Sequence, residues 1–232
     1  MQLKKRNIHP TLVAGHSLGE ITAYHIANCL DLKTALNLIK IRGKAMGKCP
    51  IESGMAAIIG SDKQTIQETI DPFKDAPVVI ANDNCPGQIV ISGEKKALET
   101  ACTKLKEKKV RVIPLKVSGA FHSPLMQNAS DAVAEFCTQN TFSPPTTPII
   151  LNRTAQPETD VDKLRHNLSQ QVISPVKWTE TIQTISSQTS TFIECGPGKV
   201  LSGLVKKTAP SIACTSINGL ESIETFLTTN KS

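Results

Sequence analysis

Apolar and polar positions change period several times along the chain, and each change marks an element. Thr11-Leu12-Val13-Ala14 reads as the end of a short buried strand. From Ile21 to about Ala45 the apolar residues fall at helical spacing, which predicts a long helical region closing near Gly47 and Pro50. Residues 52–117 change character. Met55–Ile59 reads as a strand, Lys63–Ile70 as a helix and Val78–Ala81 as a strand. Gln88–Ser92 pairs back across a turn at Asn84–Gly87, and a helix over Glu94–Lys108 leads into a strand over Val110–Leu115. That β-α-β-β-α-β order is the split, ferredoxin-like pattern. Helix and strand then alternate again: Pro124–Gln139 helix, Pro148–Asn152 strand, Asp160–Gln171 helix, Thr179–Ser187 helix, Thr191–Cys195 strand and Val200–Thr208 helix. The expected fold is α/β: a parallel-sheet, hydrolase-like core from residues 1–51 and 118–232, with a ferredoxin-like subdomain inserted at 52–117.

Composition adds exclusions. The 232 residues are 39% hydrophobic and 20% charged, which is ordinary for a globular chain able to bury a core. Aromatics at 3% argue against a nucleic-acid reader built on stacking platforms. The net charge of +6 suits an acidic partner or a solvated surface equally well. Lys104–Arg111, the densest basic run, reads as a solvated helix face. Seven cysteines without regular spacing read as reduced thiols of a cytoplasmic protein. No apolar stretch approaches membrane-spanning length, and the basic start lacks the apolar block of an export signal. No cluster of Cys, His or carboxylates has metal-ligand spacing.

The candidate chemistry begins at Gly15-His16-Ser17-Leu18-Gly19-Glu20, a G-x-S-x-G pentapeptide between a predicted strand and a predicted helix. That context is the nucleophile elbow, which lifts a serine hydroxyl above a sheet. The helix N-terminus then aims free N–H groups and its positive dipole end at the reaction centre. Glycines two residues either side of Ser17 are expected to let strand and helix pack closely. Serine needs a base in contact. Of five histidines, His9 and His25 lie on the lead-in and the long helix, and His166 in a polar helical segment. His16 adjoins Ser17 and cannot point at the same spot, so it reads as a positioning residue. His122, on a loop between a strand and a helix, is the candidate base, against the alternative of a satisfied loop histidine. Gly196-Pro197-Gly198-Lys199 lacks the first glycine and the Ser/Thr of a phosphate loop and reads as a tight turn approaching the active-site side of the sheet.

Jointly, GHSLGE at 15–20, IRGKAM at 41–46, GMAAIIG at 54–60, NDNCPGQIVISG at 82–93, SGAFHSPLM at 118–126, SPVKW at 174–178 and ECGPGKVLSGL at 194–204 resemble the malonyl-CoA:acyl-carrier-protein transacylases of bacterial type II fatty-acid synthesis. The acyltransferases of polyketide synthases are similar too. The motifs occur in the family's order across nearly the whole chain. The resemblance implies that Ser17 forms an acyl ester and that His122 acts as base and then as acid for the leaving thiol. Gln171 stands at the position whose backbone carbonyl orients the histidine. Arg42 would hold the free malonyl carboxylate, a task for which a planar guanidinium suits better than lysine. Leu18 would give one backbone N–H to the oxyanion, Gly119-Ala-Phe-His resembles malonyl-selecting members, and Asn84 is a possible substrate contact. Malonyl-CoA and an acidic acyl carrier protein are the implied partners, without nucleic acid, membrane or cofactor.

Family members begin with a strand and a Gly-Gln-Gly loop several tens of residues before the elbow, and this chain starts just upstream of the elbow strand. The resemblance therefore implies an N-terminally truncated member: an excerpt, a truncated product or one half of a split enzyme. Losing the loop would remove the second oxyanion donor, about 10²–10³ in rate, and leave an unpaired apolar sheet edge. Two other functions compete. One is a non-catalytic remnant that binds acyl carrier protein. The other is an α/β-hydrolase-type thioesterase, which would place an acid between serine and histidine in chain order.

Overall fold

A computed structural model describes residues 3–49 and 51–229; the expected helix stop at Pro50 lies outside them. The chain is mixed α/β and divides into two compact units, residues 12–181 and residues 3–11 with 182–229.

In the larger unit, β1 (Val13–Ala14) feeds α1 (Leu18–Ile26), followed by α2 (Leu32–Met46). The single helical region expected from the spacing is thus two helices. Asn28 takes a left-handed φ of 59°, and Asp31 restarts the helix by accepting the Thr34 N–H at 2.9 Å. Apolar periodicity runs through the break because both helices bury faces in one core, with Ile21, Tyr24, Leu30 and Leu38 essentially inaccessible.

Next come β2 (Ser53–Ile59), α3 (Lys63–Ile70), β3 (Val78–Cys85), β4 (Gln88–Glu94), α4 (Lys95–Glu107) and β5 (Arg111–Pro114). Their sheet runs β5-β2-β4-β3 with antiparallel neighbours. β3 runs into the turn expected at Asn84–Gly87, because Cys85 pairs with Gln88 and a bulge between Asp83 and Cys85 absorbs one residue. Ile58, Ile66, Ile91, Ala101 and Leu105 pack the sheet against α3 and α4.

A short 3₁₀ turn (Pro124–Met126) precedes α5 (Gln127–Gln139). β6 (Ile149–Ile150) pairs in parallel with β1, Ala14 opposite Ile150, and antiparallel with β7 (Pro157–Glu158). α6 (Val161–Gln171) starts at Asp160, whose side chain accepts the Lys163 N–H. β8 (Val176–Lys177) adds in parallel to β3. α7 (Trp178–Ser186) carries the chain out of the larger unit.

The smaller unit holds β9 (Thr191–Cys195), α8 (Val200–Thr208), β10 (Ala213–Ile217) and α9 (Leu220–Thr229), with β9 and β10 parallel. Gly196 and Gly198 at φ 147° and 88° make the turn between β9 and α8. Here the Glu194 carboxylate accepts the Leu201 and Ser202 N–H groups, so it caps α8. No helix among the described residues is long and apolar enough to cross a membrane.

Candidate functional site

Ser17 sits between β1 and α1 as the residue before the first helical turn, at φ 52° and ψ −105°. A non-glycine residue in that region is strained and needs its surroundings to hold it. A Cβ on Gly15 would lie 2.0 Å from the Gly19 carbonyl, so only glycine permits the strand to pass the helix there. Gly19 behaves otherwise than expected. A Cβ added to it would meet nothing within 4 Å, so its lack of a side chain leaves open space in place of closing the packing.

The structure brings Ser17, His122, Arg42 and Gln171 together. Ser17 Oγ lies 2.7 Å from His122 Nε2. On its other side His122 Nδ1 lies 3.0 Å from the Gln171 carbonyl oxygen and 3.2 Å from that of Ser174. Two carbonyls can only accept, so the proton sits on Nδ1 and leaves Nε2 free to accept from serine. His122 is itself at φ 58°. Its loop is held by Ser123 Oγ donating to the Ala120 carbonyl and by Ala120 N–H donating to Ser53 Oγ. Burial and the nearby Arg42 charge depress the His122 pKa from 6.5 to about 3. The imidazole is therefore neutral, as a general base must be before it takes a proton.

Arg42, on α2, is only 6% exposed. Its Nη2 donates to Ser17 Oγ at 2.9 Å and to Gln171 Oε1 at 3.2 Å, while its buried Nε has no partner among the described residues. Gln171 contributes twice: its carbonyl faces His122, and its Nε2 donates to the Ser17 carbonyl at 2.9 Å. A buried cation whose donors are incompletely used is suited to a carboxylate brought in by a ligand. Leu18 is the first helical residue of α1, so its N–H has no intrahelical acceptor.

Asn84 is buried on β3, and its Oδ1 accepts from His16 Nε2 at 2.8 Å. His16 in turn meets the Trp178 ring edge-on at 5.3 Å between centroids. The Asn84 side chain is thus engaged in holding the residue next to Ser17. Among the described residues no group of His, Cys, Asp or Glu is arranged to hold a metal ion.

Sequence reasoning missed Asn152, Glu20 and Asn167. All three are at most 1% exposed, and they support the elbow from beneath. Two signals were available. Asn152 directly follows the apolar run Pro148–Leu151, and Glu20 falls on the buried stripe of α1 beside Ile21 and Tyr24.

A strand–turn–helix serine, a neutral histidine and a buried arginine define a protein of the acyl-transfer class, and the chain belongs to the acyl transferase domain family, which it matches over residues 2–225. It is 39% identical to the malonyl CoA-acyl carrier protein transacylase of Bacillus subtilis strain 168, over 99% of this chain and 74% of that protein. The acyl-carrier-protein S-malonyltransferase of Bartonella henselae superposes with a TM-score of 0.92 at 38% identity, covering 99% of this chain and 74% of that one. A malonyl-transacylase in complex with a type II polyketide acyl carrier protein gives a TM-score of 0.94 at 35% identity, covering 99% and 76%.

Proposed function

We propose that the chain transfers a malonyl group from malonyl-CoA to the phosphopantetheine thiol of acyl carrier protein, through an ester on Ser17, in fatty-acid biosynthesis. The observation that carries this reading is the buried Arg42 guanidinium 2.9 Å from Ser17 Oγ with its Nε unsatisfied. An acyl group ending in a carboxylate would satisfy that cation and set its thioester carbon at the serine.

In the first half-reaction Ser17 Oγ attacks the thioester carbon while its proton passes to His122 Nε2. The C–S bond then breaks, and His122 returns the proton to the coenzyme A sulfur. In the second half the carrier's thiol gives its proton to His122 and attacks the ester carbon, the bond from that carbon to Ser17 Oγ breaks, and His122 returns the proton to Oγ. The Leu18 N–H, at the positive end of α1, stabilises the oxyanion in both halves. The Gln171 and Ser174 carbonyls orient His122 and stabilise the imidazolium that forms. The chemistry needs no metal or redox cofactor.

We read residues 53–114 as a ferredoxin-like subdomain within 52–117, since the order β5-β2-β4-β3 is that fold's fourth-first-third-second arrangement. The elbow and the parallel β1–β6 pair support a hydrolase-like core. The net charge of +6 suits an acidic carrier, and seven cysteines without regular spacing suit the cytoplasm. Against a thioesterase stands the partner of His122 Nδ1, two main-chain carbonyls in place of an acid. The test is incubation with malonyl-CoA, acetyl-CoA and holo acyl carrier protein. Mass spectrometry should find malonyl on Ser17 and then on the carrier. Labelling by acetyl-CoA at an equal rate overturns the role given to Arg42. Release of free malonate as fast as transfer overturns the transferase reading.

A further inference from the structure

The conformation of Ser17 must be held by something, and the parallel ladder beneath it shows what. β1 and β6 pair with Ala14 opposite Ile150, and the Val13 N–H donates to the Pro148 carbonyl. Continuing that register, the next rung would run from the Asn152 main-chain N–H to the Gly15 carbonyl, and from the Ser17 N–H to the Asn152 main-chain carbonyl. Neither bond forms, because the backbone turns away at the elbow. The Asn152 side chain makes both instead. Its Nδ2 donates to the Gly15 carbonyl at 2.7 Å, and its Oδ1 accepts the Ser17 N–H at 2.6 Å. One partner is an acceptor and the other a donor, so the amide has only one orientation.

The main-chain groups of Asn152 are freed for other partners. Its N–H donates to Glu20 Oε2 at 2.6 Å, and its carbonyl accepts the Lys177 N–H at 2.9 Å. Glu20 is wholly buried, and its Oε1 accepts from Asn167 Nδ2 at 2.7 Å. Gln171 Nε2 holds the other face of Ser17 through its carbonyl. The serine peptide is thus gripped at its N–H by Asn152 and at its C=O by Gln171, with Glu20 fixing the backbone from which the Asn152 side chain springs.

We propose that Asn152 is a positioning residue that stands in for a rung of the β-ladder and clamps Ser17 in its strained, reactive conformation, with Glu20 as the buried carboxylate behind it. The proposal rests on Ser17 being the nucleophile. Removing the clamp lets Ser17 relax and draws Oγ off His122.

The test reads serine reactivity directly, without requiring malonyl transfer. Wild type, Asn152→Ala, Asn152→Asp, Glu20→Ala and the Glu20→Ala/Asn152→Ala double variant are labelled with a fluorophosphonate, and their folding is followed by circular dichroism. Asn152→Ala should label about 10–100-fold more slowly. Asn152→Asp keeps the volume but sets an oxygen against the Gly15 carbonyl, and should label about tenfold more slowly. Glu20 fixes Asn152 and also interacts with the Gln171 side chain, so only the part of its effect that passes through Asn152 vanishes in the double variant, whose loss should be smaller than the product of the two single losses. In malonyl transfer the loss should fall on kcat, with KM little changed. Labelling of folded Asn152→Asp within about threefold of wild type overturns the clamp, as do rate losses that multiply in the double variant. Should Asn152→Ala fail to fold, Asn152→Asp carries the test. A wild type that labels at Ser17 but transfers no malonyl refutes the proposed function and leaves the clamp standing.

Discussion

Replacing Arg42 by methionine keeps the apolar stem buried and removes the charge, and its effect on acyl choice follows from the geometry. In wild type an acetyl thioester leaves the guanidinium without a carboxylate. An uncompensated buried charge costs about 3–5 kcal/mol. Nη2 retains Gln171 Oε1 as an acceptor and the Glu20 carboxylate still attracts the guanidinium, so the lower end of the range applies, and wild type should prefer malonyl-CoA by roughly 10²-fold. In Arg42→Met the malonyl carboxylate becomes the unpaired buried charge, and the preference should fall to about one or below. The same substitution acts on His122, whose pKa of about 3 is set first by burial and second by the Arg42 charge. Without that charge the pKa rises but stays below 6.5, and the acid limb of kcat/KM moves up with it because His122 must be neutral to act. The assay is acylation of Ser17 by malonyl-CoA and by acetyl-CoA, followed by quenched-flow mass spectrometry across the pH range where the protein stays folded. A preference for malonyl kept within about threefold of wild type, or an acid limb that does not move upward, would refute the argument.

The support of the elbow yields further predictions. Burial raises the Glu20 pKa from 4.5 to about 7, so Glu20 favours the folded state fully below pH 4.5 and loses that contribution as pH rises through 7. The stability of wild type relative to Glu20→Gln should therefore drop by about 3 kcal/mol between pH 4.5 and pH 8 in urea unfolding. A difference that is flat or rises with pH contradicts the assignment. Gly15→Ala forces a Cβ into backbone atoms and should cost about 3 kcal/mol. Gly19→Ala meets nothing and should change stability by no more than about 1 kcal/mol, in the stabilising direction. Equal losses at the two glycines would mean that the strand–helix approach is misjudged. Gln171→Ala keeps the carbonyls that orient His122 but loses the contacts to Ser17 and Arg42. Its kcat should fall about tenfold, against about 10³-fold for His122→Ala. A Gln171→Ala loss as large as that of His122→Ala would show that the side chain, not the main chain, fixes the histidine.

What could be read from the sequence divides along physical lines. The helices Lys63–Ile70 and Val200–Thr208 and the strand Thr191–Cys195 begin and end where apolar periodicity and turn residues place them. Periodicity reports which face is buried and nothing more. It therefore ran through the break between α1 and α2, where Asn28 and Asp31 restart the helix while the buried face continues. β7, β8, β10 and α9 went unread, two of them strands of two residues each. Ser17 and His122 could be picked out because each lies in a local context, a strand-to-helix turn and a strand-to-helix loop. Arg42 and Gln171 carry no local signature: an arginine in a helix and a glutamine at a helix end are ordinary surface residues until the fold buries them, and only the family resemblance singled them out.

Asn152 and Glu20 were hidden for a deeper reason. Their partners lie more than 130 residues away in the chain: Asn152 to Ser17, Asn152 to Gly15, and Asn152 N–H to Glu20. Their chemistry is that of a missing β-rung, which exists only once two strands are in register. A polar residue just after an apolar run reads locally as the end of the strand. In the folded chain its side chain supplies both hydrogen bonds that the backbone gives up as it turns into the elbow. The left-handed conformation of Ser17 is thus matched by a polar side chain two residues past Ile150, the last paired residue of β6, and Asn152 occupies that position.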